Sequence, residues 1–158
     1  MTDQKQAILD KASEHCQQLG ERLTPKRERL LDLLLAAEGP KSAYDLISDH
    51  QAAYGEAPAA MSVYRMLNFL VDAGLAHKLA TTNQFLACSH ISCDHDHEVP
   101  QFLICDRCQA VEEVGMQRAL MTELKASASR VGFQMGSQQL EVHGICARCV
   151  QQAAIADA

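Results

Sequence analysis

No stretch of this chain approaches the roughly 20 consecutive apolar residues that cross a bilayer. Its opening stretch, MTDQKQAILDKASEH, also lacks the apolar core of a secretory signal. No membrane partner is expected, and the chain reads as soluble and cytoplasmic. A basic excess is missing too: 14 Lys and Arg stand against 20 Asp and Glu, a net charge of −6. That excludes a blanket basic surface and leaves room only for a local basic patch. There is no HExxH and no HxE…PCxxC arrangement, so the signatures of a zinc hydrolase or deaminase are absent. Repeats and low-complexity segments are lacking as well.

What is present is a chain of 158 residues with 47% hydrophobic content, enough for one average domain or two small ones with packed cores. The seven cysteines are an odd number, which does not fit a full disulfide framework and suits a reducing compartment. Four of them form two pairs, Cys105-x-x-Cys108 and Cys146-x-x-Cys149. Two intervening residues let both thiols of a pair face one tetrahedral ion, and two pairs close a four-thiolate site with no position left for water. That is the chemistry of structural zinc. A redox dithiol at one CxxC would leave the other unexplained. Cys16 reads as a small buried hydrophobe within a helix. Cys88 and Cys93 belong to a ligand-rich stretch, 88–98, that also holds His90, Asp94, His95, Asp96 and His97.

The first half reads as helices. Residues 4–19 carry Ile8, Ala12, Cys16 and Leu19 at helical spacing, with Gly20 as a stop. Thr24-Pro25 opens a second, leucine-rich helix that Gly39-Pro40 ends. Ser42-Ala-Tyr-Asp45 resembles a capping box and opens a third. A fourth covers 60–73, with Val63, Leu67, Leu70, Val71 and Gly74 expected on one face and Met61, Arg65, Asn68 and Asp72 on the other. Runs 75–79 and 84–88 give a hairpin signal. Three helices and a hairpin are the order of a winged helix-turn-helix, here with an extra helix in front. Beyond the hinge-like segment 89–100, strands are expected at 101–105, 110–114 and 133–142, and a helix at 117–130, followed by an Ala-rich tail. The expected organisation is a DNA-binding domain over 1–88, a hinge over 89–100, a small α/β domain over 101–152 and a tail over 153–158, an α+β fold overall. About 50 residues are few for one hydrophobic core, so a zinc staple and a partner subunit would offset the deficit.

Thr24-Pro-Lys-Arg27, Ser42-Ala-Tyr-Asp45, Ser62-Val-Tyr-Arg65, Asn83-Gln-Phe85, Cys105-Asp-Arg-Cys108 and His143-Gly-Ile-Cys-Ala-Arg-Cys149, in this order and spacing, resemble the ferric uptake regulator family over about residues 7–151. Ala76-His-Lys78, Phe102-Leu-Ile-Cys105 and Val142-His-Gly144 point to its zinc-sensing subgroup. Two departures stand out: Gln109 follows the first CxxC where the family has Gly, and Ala59-Ala-Met61 precedes the recognition motif where the family has Pro.

The resemblance implies a non-enzymatic, zinc-dependent repressor of zinc uptake and homeostasis genes, a homodimer on double-stranded operator DNA with no small organic substrate. It implies two zinc ions per subunit. The structural ion sits on Cys105, Cys108, Cys146 and Cys149. The regulatory ion maps to His77, Cys88, His97 and Glu113, with His95 as the alternative to His97. One thiolate, one carboxylate and two imidazoles balance the charge of Zn²⁺ and suit it better than manganese. An iron, manganese or peroxide sensor of the same family, or a redox-sensing zinc protein, are the alternatives. On DNA, Arg65 can reach guanine bidentately, the ring of Tyr64 can pack on a thymine methyl, and Ser62 and Tyr44 sit where helix N-termini meet the backbone. Lys26 and Arg27, with Arg22 and Arg29, supply the local positive patch. Cys93 and His90 are candidates for an accessory site or a solvated loop, and His143 reads as structural.

Overall fold

The structure, a computed structural model, describes residues 2–91 and 99–156. The chain divides into two compact units, Met1–Asp94 and His95–Ala158.

The first unit contains α1 (Thr2–Gln18), α2 (Pro25–Ala36), α3 (Ala43–Tyr54), α4 (Ala60–Asp72), β1 (Ala76–Leu79) and β2 (Gln84–Ala87). The α1 helix buries Leu9, Ala12 and Cys16, spaced by three and four residues as one helical face demands. Leu19, expected on that face, is instead 53% exposed. The helix stops at Gln18 and the chain turns left-handed at Gly20 (φ 74°), so Leu19 lies outside the helical register. In α2, Pro25 fills the first turn, where a missing N–H costs nothing, while Thr24 makes no side-chain cap. The α3 helix opens on the expected capping box: Asp45 N–H donates to Ser42 Oγ (3.1 Å), and Ser42 N–H donates back to the Asp45 carboxylate (2.8 Å). Along α4, Val63, Leu67 and Leu70 are buried. Val71 is only half-buried, and Gly74 is exposed beyond the helix end.

After α4 the chain forms an antiparallel hairpin from Ala76↔Ala87 to Leu79↔Gln84. Lys41 bridges to Phe85 as a third short partner, N–H to O in both directions at 2.8 and 2.7 Å. Phe85 is fully buried in the same core as Leu30, Leu31, Leu46 and Leu67. Helices followed by a hairpin with one shared core make the winged helix-turn-helix.

The second unit contains β3 (Val99–Cys105), β4 (Val111–Met116), α5 (Arg118–Arg130), β5 (Leu140–Gly144) and α6 (Ala147–Ala156). Strand order is β4-β3-β5; β3 runs antiparallel to β4 and parallel to β5. The strand expected at 133–142 is shorter and shifted. Its first half is irregular, with Ser137 Oγ accepting from Gln139 N–H in place of a ladder bond. Pairing begins only where Leu140 N–H donates to the buried side chain of Gln101 (2.7 Å). The expected tail is helical as far as Ala156, a consequence of its Ala- and Gln-rich composition. The unit's buried apolar side chains among the described residues are Phe102, Ile104 and Met121, joined by the thiols Cys105 and Cys149.

Candidate metal centre and nucleic-acid interface

Parallel pairing of β3 with β5 brings the two CxxC segments to one end of the sheet. Cys105 is the last residue of β3, aligned with Gly144, and the chain reaches Cys146 two residues later. Cys149 sits in the first turn of α6. The four sulfurs all lie within 4.8 Å of one another, and Cys108 Sγ is 3.7 Å from Cys146 Sγ. A tetrahedral ion with metal–sulfur bonds of about 2.3 Å requires sulfurs about 3.8 Å apart, so the set fits zinc geometry. The turn between Cys105 and Ala110 forces Gln109 to φ 59°, which explains why glycine suits this position. The turn closes nevertheless, with Gln109 N–H on the Cys105 carbonyl (2.9 Å).

Backbone N–H groups of Cys108 and Cys146 point at the Cys105 sulfur and bring its pKa down to about 6. Burial, reinforced by the neighbouring thiols, pushes Cys149 up to about 12. Cys108 is lowered, first by the Ala110 N–H and next by the Arg148 side chain. Four thiolates around a divalent ion leave two negative charges over, and this cradle of N–H donors with Arg148 is built to carry them. Arg107 adds a bond to the Cys149 carbonyl (3.3 Å). Arg148 was not singled out from the sequence, although a cation between two cysteines is a signal that could have found it. His143 donates to the Asp106 carboxylate (2.9 Å), which accounts for it without a metal.

On the hairpin of the first unit, His77 pairs with Leu86, and the Cys88 N–H donates to the Leu75 carbonyl (3.0 Å). Strand alternation therefore puts the half-buried His77 and the buried Cys88 on the same face, as diagonal neighbours. In the second unit, Glu113 lies on β4 opposite Phe102 and is half-buried, whereas Glu112 is exposed. Cys93, Asp94, His95, Asp96 and His97 lie outside the described residues. His90 is half-exposed, its Nδ1 3.2 Å from Ser89 Oγ.

The outward face of α4 presents Met61, Ser62, Arg65 and Asn68, all exposed. Tyr64 is half-buried and packs on the core, while Tyr44, at the start of α3, is 67% exposed. Lys26 is exposed. Arg27 is engaged within the fold: its guanidinium lies 3.5 Å from the centroid of the Phe69 ring on α4, and it donates to the Arg22 carbonyl (2.7 Å). Arg29 pairs with Glu56 (3.1 Å). Two histidines brace the same helix-turn-helix. His50, buried in α3, donates to the Glu56 carbonyl (2.8 Å) just before α4. His15 on α1 donates to the Ala73 carbonyl (2.9 Å) at the end of α4, which gives the extra helix a purpose that the sequence did not reveal.

The profile of the Ferric uptake regulator family matches residues 18–143. The zinc uptake regulation protein of Escherichia coli (strain K12) is 37% identical over 149 residues, 92% of this chain and 83% of that protein. Among solved structures, a zinc uptake regulator complexed with zinc and DNA superimposes with a TM-score of 0.80 at 34% identity, covering 95% of this chain and 97% of the other. The holo form of XcZur gives 0.76 at 39% identity, with 92% and 98% covered.

Proposed function

The chain belongs to the ferric uptake regulator family, and we propose that it is a zinc-dependent DNA-binding transcriptional repressor of zinc uptake and homeostasis genes, with zinc as co-repressor. The observation that carries this reading is the match over nearly the whole chain to a zinc uptake regulator holding both zinc and DNA. Cys105, Cys108, Cys146 and Cys149 hold the structural zinc. The site offers no open coordination position, which supports a staple and not an enzyme.

The second, regulatory zinc takes His77, Cys88, His97 and Glu113, with His95 as the alternative to His97. The hairpin geometry of His77 and Cys88 and the inward turn of Glu113 relative to Glu112 support this set. Zinc held by this set would be balanced by one thiolate and one carboxylate beside two neutral imidazoles. In this reading zinc binding and DNA binding are linked.

Lys26, Tyr44, Ser62, Tyr64 and Arg65 form the DNA contact set, with Arg65 on a guanine edge. Arg27 serves that surface through Phe69. The protein acts as a homodimer on palindromic double-stranded DNA. The second unit supports this: its edge strand β5 has one neighbour in the sheet, and Leu103, Leu120, Leu124, Phe133 and Val142 are exposed.

Operator binding measured against buffered free Zn²⁺, Fe²⁺ and Mn²⁺ tests the reading. Zinc alone should switch binding on at low free concentration, and Cys88→Ser and Glu113→Ala should bind only as well as the metal-free protein while keeping the four-thiolate zinc. Equal response to iron or manganese, or an unchanged zinc midpoint in Cys88→Ser, would refute it.

A further inference from the structure

The first turn of α4 carries a large apolar side chain that the fold does not use. Met61, the second residue of the helix, is 66% exposed, whereas its neighbours Val63 and Leu67 are fully buried. Polar side chains fill most of the outward face of α4, and Met61 is its large, flexible apolar member. It stands one helical turn before Arg65, on the same face, where side chains four apart are neighbours. The surrounding turn is suited to nucleic acid: α4 has no acidic residue in its first turn, and Ala59 at the N-cap makes no side-chain bond. Tyr64, the aromatic member of the proposed contact set, is half-buried and packed on the core, so Met61 is the more exposed apolar side chain on this turn.

We infer that Met61 is a specificity-determining residue, its thioether side chain contacting a thymine 5-methyl group in the major groove beside the guanine taken by Arg65. The inference rests on the reading of α4 as the recognition helix. The chemistry is that of apolar contact with the one apolar group that base pairs display in the major groove. A flexible, polarizable methionine reaches it without fixing a single geometry.

The test uses the full-length, zinc-loaded protein and a duplex that it selects from a random-sequence pool. Each thymine is replaced in turn by deoxyuridine, which removes only the 5-methyl. For the unsubstituted protein, one replacement per half-site should weaken binding about fourfold, the loss of one buried methyl. Met61→Ala should bind more weakly and be indifferent to that replacement. Met61→Leu should keep the dependence. If Met61→Ala shows the same thymine dependence as the parent protein, the assignment is overturned while the recognition helix stands. If the parent protein selects no sequence, the DNA reading falls and takes this assignment with it.

Discussion

Stripping the metal from the four-cysteine site should unfold the second unit and leave the first intact. The large apolar side chains fully buried in that unit among the described residues are Phe102, Ile104 and Met121. At about 1.5–3 kcal/mol each they contribute roughly 5–9 kcal/mol together. A structural zinc on four thiolates in a small domain contributes roughly 10–16 kcal/mol at neutral pH. The metal therefore outweighs the core it staples. Without it, the thiol of Cys149 remains protonated, and its burial no longer serves a bond. The first unit has no such dependence, because Leu30, Leu31, Leu46, Leu67, Leu70, Leu75 and Phe85 are fully buried or nearly so. Hydrogen exchange resolved by peptide, with and without a chelator strong enough to remove all bound zinc, reads the two units separately. Amides of β3 should fall to the rates of an unfolded chain, and those of α2 and α4 should stay protected. Cys146→Ser should reproduce the pattern without chelator. Protected β3 amides in the fully stripped protein would refute the argument that zinc, not the core, holds this unit.

Two further outcomes follow from the first unit. Ser42→Ala should destabilise it by about 1 kcal/mol at pH 7. The Ser42 hydroxyl, followed by the backbone N–H, holds Asp45 below its ordinary 3.8, so the charge-dependent part of this contribution is present above that pH and lost as pH falls through the lowered pKa, whereas the bond from the Asp45 N–H to Ser42 Oγ persists; urea melts of parent and variant should differ less at pH 3 than at pH 7. Arg27→Ala should cost about 1–2 kcal/mol of stability through its ring and carbonyl contacts, yet leave the slope of log affinity against log salt unchanged, whereas Lys26→Ala should reduce that slope by about one phosphate contact; a lower slope for Arg27→Ala would place its guanidinium on DNA.

Local signals in the sequence determined the elements of the first unit, because they are written within a few residues. Pro25 opens α2, the Ser42–Asp45 box opens α3, and Val63, Leu67 and Leu70 repeat at helical spacing in α4. The paired CxxC spacing likewise announced a four-thiolate site, since coordination chemistry demands thiols in that arrangement. Tertiary structure decided whatever depends on residues far apart. The parallel alignment of β3 with β5 sets where β5 begins, and no local pattern in 133–142 contains that register. Arg27 reads as one more cation in a basic patch until Phe69 of α4 is found beneath it. His15 reads as one residue of an extra helix until it meets the last carbonyl of α4. Tyr64 and Met61 differ in the same way: both project from one helix, and only the packing of the neighbouring elements buries half of the tyrosine and leaves the methionine outside. Periodicity assigns a residue to a face, but exposure is set by what the rest of the chain places against that face.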